Sequence, residues 1–197
     1  MEPITAINQR ESIERAKGFI CGASEDGTLY TSPKKNAYII EIEQNNKEWL
    51  LAIKKALIVA YNKNCKIDQK KSGYFRLSCY SKAILEDLQK IRKDYSKIIE
   101  KSDPFKIGFL QGIYDAEGSV HKERRSIRIY SRKRALIELL KKLLAEMRIT
   151  LGKEYLDKRN QVVMLPIYGK QNLILFKEQI NFNHTPKNQL LNILLES

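Results

Sequence analysis

Two carboxylates stand at comparable places in the chain and could bind a metal ion. Asp26 precedes Gly27 and Glu117 precedes Gly118, and each acid follows a stretch with helical spacing. If the two helices packed side by side, the acids would meet at one end, where like charges raise each pKa unless a cation neutralises them. Mg²⁺ (or Mn²⁺) suits such a site, because hard cations prefer carboxylate oxygen and keep positions for water or phosphate. The pattern predicts metal-dependent phosphodiester hydrolysis.

The helix that ends at Glu117 carries small residues on one face. Gly112 and Ala116 are four positions apart, so they lie one turn above each other. Small side chains there would let a second helix approach closely. We therefore expect the helix before Asp26 to pack against this face.

The chain repeats one order of elements. Asp26 and Glu117 are 91 positions apart, Gln44 and Ser131 are 87 apart, and Tyr80 and Tyr168 are 88 apart. Three similar offsets predict a duplication: residues 1–101 form the first repeat and residues 102–197 the second. The predicted fold is α+β, with two pseudo-symmetric αββαββα repeats in one compact body.

The segment Leu110–Gly118 resembles the nine-residue signature of the LAGLIDADG homing endonucleases, and Phe19–Gly27 is a looser copy. A small hydroxyl residue and an aliphatic residue follow each segment. The resemblance covers essentially the whole chain and implies a single-chain enzyme with two motifs. It also implies paired motif helices at the centre and two antiparallel sheets that form a DNA-binding saddle.

The register of the first motif is open between two positions. Aligning the turn glycines places Asp26 opposite Glu117, and the residues that follow then match without a gap. Aligning Gly18 with Gly112 places Ala23 there instead, which would leave one half without its acid. The first alignment is the hypothesis that we follow.

Further catalytic residues are implied by the resemblance alone. Gln44, at the end of a strand, occupies a place where the family often has a Gln or Asn that holds water near the metals, whereas Ser131 departs from this pattern in the second half. Lys187 is the candidate for a lysine that polarises the site. Glu25 is either a secondary ligand or a surface acid, and His121 is expected at a surface position of a strand.

The net charge of +13 favours a polyanionic partner, because each Lys or Arg placed on a phosphate releases a counterion. Several predicted strands alternate apolar and polar residues, so one face of each sheet is free for double-stranded DNA. The alternative is an ordinary solvated sheet face. The predicted DNA-binding residues are Lys34, Lys35, Glu41, Glu43, Arg76, Ser78, Tyr80, Arg124, Arg125, Arg128, Tyr130 and Arg132.

Other sequence features predict the location of the protein, the state of its cysteines and its oligomeric state. No apolar run approaches the roughly 18–20 residues that a membrane helix needs, so no membrane association is expected. Cys65 and Cys79 lie in adjacent predicted strands, where a buried reduced pair is favoured over a disulfide. We expect a monomer in the cytoplasm, associated with the nucleoid.

Three functions fit these observations. The first is a homing endonuclease that cuts both strands of a long DNA target. The second is an RNA maturase of the same fold that binds intron RNA, and the third is a DNA-binding protein with a decayed active site. Two acids at equivalent places favour the enzyme, because a binding protein has no need of a repulsive carboxylate pair.

Overall fold

The computed structural model describes residues 4–196, apart from the side chains of residues 4–6 and 35. Two compact units divide the chain, Met1–Ala116 and Glu117–Ser197. The described residues contain seven α-helices and two four-stranded antiparallel sheets, so the α+β prediction is confirmed. None of the described helices is both long and apolar enough to span a membrane.

The first unit contains most of the helical residues. Its helices and strands are α1 (Ile4–Ala23), a 3-10 turn (Ser24–Asp26), β1 (Thr28–Ser32), a second 3-10 turn (Pro33–Lys35), β2 (Ala37–Gln44), α2 (Lys47–Tyr61), β3 (Lys66–Gln69), β4 (Phe75–Tyr80), α3 (Lys82–Lys93), a third 3-10 turn (Tyr95–Ile98) and α4 (Asp103–Glu117). The last residue of α4 belongs to the second unit.

Local sequence signals begin and end these helices. The side chain of Asn46 accepts a hydrogen bond from the backbone of Trp49 and caps α2, which ends at Asn62 in the left-handed conformation. Ser81 caps α3 through the backbone N–H of Ile84, as the sequence predicts. These caps satisfy backbone groups that would otherwise lack partners at the helix ends.

The sheet of the first unit has the strand order β1-β2-β4-β3. Ile40 and Ile42 of β2 face the core at 1% exposure, and Leu77 and Cys79 of β4 are fully buried. The period-two alternation of these strands therefore separates a core face from a polar face, as predicted. All three cysteines are buried free thiols, which confirms the reduced state expected for Cys65 and Cys79.

The second unit repeats the sheet of the first and the helix between its two strand pairs, whereas α4, the first helix of the predicted second repeat, belongs to the first unit except for its last residue. Its helices and strands are β5 (Gly118–His121), β6 (Ser126–Ser131), α5 (Arg134–Glu146), β7 (Tyr155–Asp157), β8 (Val162–Tyr168), α6 (Lys170–Gln179) and α7 (Thr185–Glu196). The strand order β5-β6-β8-β7 is the counterpart of the order in the first sheet. The equivalence confirms the predicted repetition of elements.

One predicted strand is shorter than expected. The sequence pattern suggests a strand over 149–156, but only Tyr155–Asp157 forms a ladder with β8, and Leu151 makes an isolated bridge to Ile167. Gly152 donates its backbone N–H to the carbonyl oxygen of Pro166. Pro166 has no N–H to return, so the ladder is interrupted there.

Candidate functional site

Four glycines bring the backbones of α1 and α4 into direct contact within the first unit. A Cβ atom on Gly22 would lie 2.2 Å from a carbonyl oxygen of α4, and one on Gly112 would lie 2.2 Å from a carbonyl oxygen of α1. Gly18 and Gly108 are related in the same way one turn earlier, at 2.0 Å. No side chain fits at these distances. The predicted close approach is present at Gly112 and extends to Gly108, one turn earlier.

The helix contact has a register that neither sequence alignment predicts. Gly22 is equivalent to Gly112, because each meets the other helix through the same backbone atoms, 90 positions apart. Alignment of the turn glycines pairs Gly112 with Cys21, and the alternative alignment pairs it with Gly18. Both alignments are wrong along the helix.

Equivalent residues of the two halves are 90 positions apart in the motif helices but 91 positions apart in the strands that follow. Leu29 pairs with Ile40 in the first sheet as Val120 pairs with Ile127 in the second, so the offset from α1 to α4 no longer holds. The first half has one residue fewer before its strand, and its last three residues form a 3-10 turn. Three residues of 3-10 helix rise about 6 Å, as do four residues of α-helix, so the tighter turn covers the same distance.

This shortened turn places Asp26 immediately before the glycine that leads into β1. Asp26 is exposed, whereas Ala23 is fully buried. Gln44 donates a hydrogen bond from its Nε2 atom to Oδ2 of Asp26 over 2.5 Å. The end of β2 and the end of the first motif helix thus come together, and the structure unites two of the predicted catalytic residues.

Glu25 has neither of its two predicted roles. Its side chain is only 2% exposed, its Oε1 atom lies 3.5 Å from Nε of Arg92, and its Oε2 atom accepts a 2.9 Å hydrogen bond from the hydroxyl of Tyr95. Burial, followed by the charge of Glu25, raises the pKa of Tyr95. No local sequence pattern indicates this cluster, because Arg92 and Tyr95 follow Glu25 by more than 60 residues.

The other predicted catalytic residues lie in the second unit. Glu117 is exposed and is the last residue of α4. Lys187 lies in the first turn of α7 and is half-buried. Burial, with the nearby charge of Lys187, lowers the pKa of His184. The hydroxyl of Ser131, the counterpart of Gln44, accepts a hydrogen bond from the backbone N–H of Lys133 at the start of α5.

His121 lies on β5 and is partly buried rather than fully at the surface. Its Nε2 atom is 2.9 Å from the hydroxyl of Ser119. Burial and the charge of Arg128 lower its pKa. The lowered pKa favours the neutral form of the His121 side chain.

Oppositely charged side chains form ion pairs on the polar face of the first sheet. Glu43 accepts hydrogen bonds from Arg76 at 2.7 Å and from Lys70 at 2.6 Å, and Arg76 also contacts Glu41 at 3.4 Å. The Lys70 bond, followed by that of Arg76, lowers the pKa of Glu43. The charges of the predicted DNA-binding residues Glu41, Glu43 and Arg76 are therefore balanced only together with Lys70.

Two other predicted contacts of this sheet differ in exposure. Tyr80 is 53% exposed, whereas Ser78 is only 7% exposed. Ser78 lies between Glu41 and Lys66 in the strand register, on the central strand β4. Ser78 is therefore a poor candidate for a direct contact, contrary to the expectation. Lys34 is exposed in its 3-10 turn, and the side chain of Lys35 lies outside the described residues.

The second sheet presents arginines with a different set of partners. Arg128 donates to the hydroxyl of Ser126 at 3.1 Å, and Arg125 donates to the backbone carbonyl of Leu194 at 3.0 Å. Arg124 and Arg132 are exposed. Over residues 4–196, no described carboxylate forms an ion pair with any of these four arginines. Tyr130, the remaining predicted contact, is 38% exposed.

The donor set around Asp26 fits a hard divalent cation. Asp26 offers carboxylate oxygens at the surface, and Gln44 offers an amide beside them. In the part of the chain that the structure describes, no three His, Cys, Asp or Glu residues cluster as a cage for a metal. Such an open donor set suits Mg²⁺ or Mn²⁺, which keep water and phosphate ligands, and does not suit a structural zinc ion.

Comparison with known proteins agrees with this architecture. The family model of the LAGLIDADG-like domain matches residues 104–181, and the model of the WhiA LAGLIDADG-like domain matches residues 16–98. No curated protein sequence matches the chain.

Several solved structures share the fold. The homing endonuclease I-DmoI in complex with DNA and Mn has a TM-score of 0.68 at 22% identity, over 85% of this chain and 97% of that one. A variant of I-DmoI with its target DNA and Mg has a TM-score of 0.69 at 24% identity, over 86% and 97%. The N-terminal LAGLIDADG domain of DUF199/WhiA has a TM-score of 0.58 at 18% identity, over 87% and 81%. The chain is therefore a member of the LAGLIDADG family, with one LAGLIDADG-like domain in each half.

Proposed function

We propose that this protein is a metal-dependent endodeoxyribonuclease that hydrolyses one phosphodiester bond in each strand of a double-stranded DNA target. The observation that carries the proposal is the hydrogen bond between Gln44 and Asp26 at the end of the first motif helix. A carboxylate and an amide, both at the surface and beside a glycine turn, suit a hydrated cation and a phosphate. The fold similarity to I-DmoI, which has been crystallised with DNA and Mn, supports the same function.

In this proposal Asp26 and Glu117 hold the divalent cations. When bound, a cation supplies Lewis-acid polarisation of the phosphodiester and neutralises the charge that develops on the leaving 3′ oxygen. The side chain of Gln44 orients a water molecule near Asp26, because its amide can donate and accept hydrogen bonds at fixed positions. Lys187 contributes a positive charge that stabilises the transition state.

The polar faces of the two sheets bind the DNA. Arg124, Arg125, Arg128 and Arg132 have no carboxylate partners among the described residues, so they are available to phosphates. Glu43 and Arg76 can exchange their mutual hydrogen bonds for base edges, because Arg can read guanine and Glu can accept from cytosine N4. We propose a monomer as the active form.

The experiment starts from a pool of randomised DNA duplexes, so that the target sequence is identified rather than assumed. Incubation with Mg²⁺, capture of the new ends by adaptor ligation and sequencing would identify a cleavable sequence. Asp26→Asn and Glu117→Gln should each reduce double-strand cleavage of that sequence by about 10³-fold or more, since each removes a cation ligand. Binding to the same duplex in Ca²⁺ should change little.

Glu100→Gln is the matched control, because Glu100 is an exposed acid outside the two sheets and the motif helices. This variant loses the same charge and should cleave as the wild type does. Full cleavage by both Asp26→Asn and Glu117→Gln would exclude the proposed roles of these acids.

A second candidate is a nucleic-acid-binding protein with a decayed active site, including an RNA maturase that binds intron RNA. The match of residues 16–98 to the WhiA LAGLIDADG-like domain favours it. This candidate predicts binding without cleavage in any duplex pool, and equal affinity of the wild type and both acid variants.

A further inference from the structure

A buried ionic cluster lies directly behind the turn that carries Asp26. The side chain of Glu25 is 2% exposed, and its two oxygens face the guanidinium of Arg92 at 3.5 Å and the hydroxyl of Tyr95 at 2.9 Å. A carboxylate with so little exposure is not available to DNA or to a hydrated cation. A charge is retained at such a position only when it is paired.

Arg92 also holds the turn on the other side of Asp26. Its Nη2 atom donates a 3.0 Å hydrogen bond to the carbonyl oxygen of Gly27, and the N–H of Gly27 donates to the carbonyl oxygen of Ser24 at 2.7 Å. One guanidinium on α3 therefore contacts the residue before Asp26 and the residue after it. The acid between them is exposed and accepts a hydrogen bond from Gln44.

The first motif ends in a turn that such contacts would support. The turn before Gly27 is 3-10, whose hydrogen-bond geometry is poorer than that of an α-helix. In the second motif α4 continues as an α-helix up to Glu117, and the preceding residue is Ala116 in place of an acid. The one-residue shortening of the first motif and the cluster behind it occur together.

We infer that Arg92 and Glu25, assisted by Tyr95, are positioning residues that hold the Asp26 turn in the conformation that binds the cation. The inference rests on the proposed nuclease function for its catalytic consequence, but the conformational part can be measured without cleavage. Arg92 and Glu25 do not contact the reacting atoms. They fix the backbone on both sides of the residue that does.

Arg92→Met is the principal test, and Lys93→Met is its matched control, because Lys93 is an exposed cation on the same helix. Arg92→Lys keeps the charge beside Glu25 but loses the planar fork that also reaches Gly27. Tyr95→Phe removes one hydrogen bond to Glu25 and leaves the bond to Gly27 intact. These conservative variants keep the test valid if Arg92→Met does not fold.

The first measurement is amide hydrogen exchange at Gly27 in the metal-free protein. Arg92→Met and Arg92→Lys should speed exchange at Gly27 at least tenfold while the β2 and β4 amides stay protected. The second is the Mg²⁺ concentration that gives half-maximal cleavage, which should rise at least fivefold in both variants with little change in DNA affinity in Ca²⁺. Tyr95→Phe should have a smaller effect on both quantities, and Lys93→Met none.

Wild-type exchange at Gly27 in folded Arg92→Met and Arg92→Lys would overturn the inference. Unchanged Mg²⁺ dependence would also overturn it, even if both variants were less stable, because that result would mean a purely structural role. If the wild type cleaves no DNA, the proposed function fails, and the exchange measurement still decides whether the cluster holds the turn.

Discussion

The side chain of Gln44 donates a 2.5 Å hydrogen bond to the carboxylate of Asp26 and so joins the end of β2 to the end of the first motif helix. The two residues are 18 positions apart, and the β1–β2 hairpin returns the chain to the turn. The second half has Ser131 at the equivalent place, and its hydroxyl contacts the backbone of Lys133. The two halves therefore differ in the residue at the end of this strand and in the partner that it contacts.

We expect Gln44→Ala to lower the cleavage rate by about 10²-fold, because an oriented proton-transfer or water-holding group typically contributes that much. DNA affinity in Ca²⁺ should be unchanged. Asn45→Ala removes an exposed amide from the next residue and is the control. Single-turnover kinetics on the selected duplex would measure the effect, and equal rates for the wild type and Gln44→Ala would refute the assigned role.

Gly22→Ala should destabilise the protein by about 1–3 kcal/mol, because its new methyl group would lie 2.2 Å from a backbone carbonyl that cannot rotate away. The melting temperature should fall by about 2–4 °C per kcal/mol. Cleavage should fall as well, since the motif helices must separate. Gly73→Ala is the control: its methyl group meets nothing within 4 Å, and only the strain of its positive φ remains. Gly73→Ala should leave cleavage intact. A Gly22→Ala protein that is as stable and active as the wild type would contradict the close packing of the two helices.

The paired charges of the first sheet predict opposite effects of two substitutions on DNA binding. Glu43→Gln releases Lys70 and leaves Arg76 with only its 3.4 Å contact to Glu41, so binding in Ca²⁺ should tighten. The slope of log Kd against log salt should steepen by about 1 for each cation that reaches a phosphate. Arg128→Gln should reduce the slope by about 1. Glu100→Gln is the control for Glu43→Gln, because it removes one negative charge at another exposed position. A salt slope that neither substitution alters would argue against these faces as the DNA-binding surface.

Both histidines should make the protein less stable at mildly acidic pH. Burial lowers the pKa of His121 and of His184 below the ordinary value of 6.5, so protonation is harder in the folded than in the unfolded state. Their contribution to stability is complete above that value and is lost as the pH falls through the lower, folded-state pKa. Thermal unfolding at pH 7.5 and 5.5 would show the loss. The variant with both His121→Gln and His184→Gln should show a smaller difference, and an equal difference would disprove the assignment.

Much of the fold follows from local patterns in the sequence. The alternation around Ile40 and Leu77 predicts strands with one buried face. The helical spacing over Lys47–Tyr61 predicts α2 with its observed bounds, and the Ser81 cap predicts where α3 begins. These signals are readable because they depend on neighbours within one or two turns. The strand over 149–156 is shorter than its sequence pattern predicts, because Pro166 in the neighbouring strand interrupts the ladder of hydrogen bonds.

The sequence by itself determined the repeated α+β order, the two acids before glycines and the basic character that favours a nucleic-acid partner. Only the tertiary structure decided the register of the motif helices, which is set by backbone contact at Gly22 and Gly112. The burial of Glu25 by Arg92 was likewise decided in three dimensions. The physical reason is the same in both cases: a contact between residues far apart in the chain depends on how whole elements pack, and no short window of sequence encodes it.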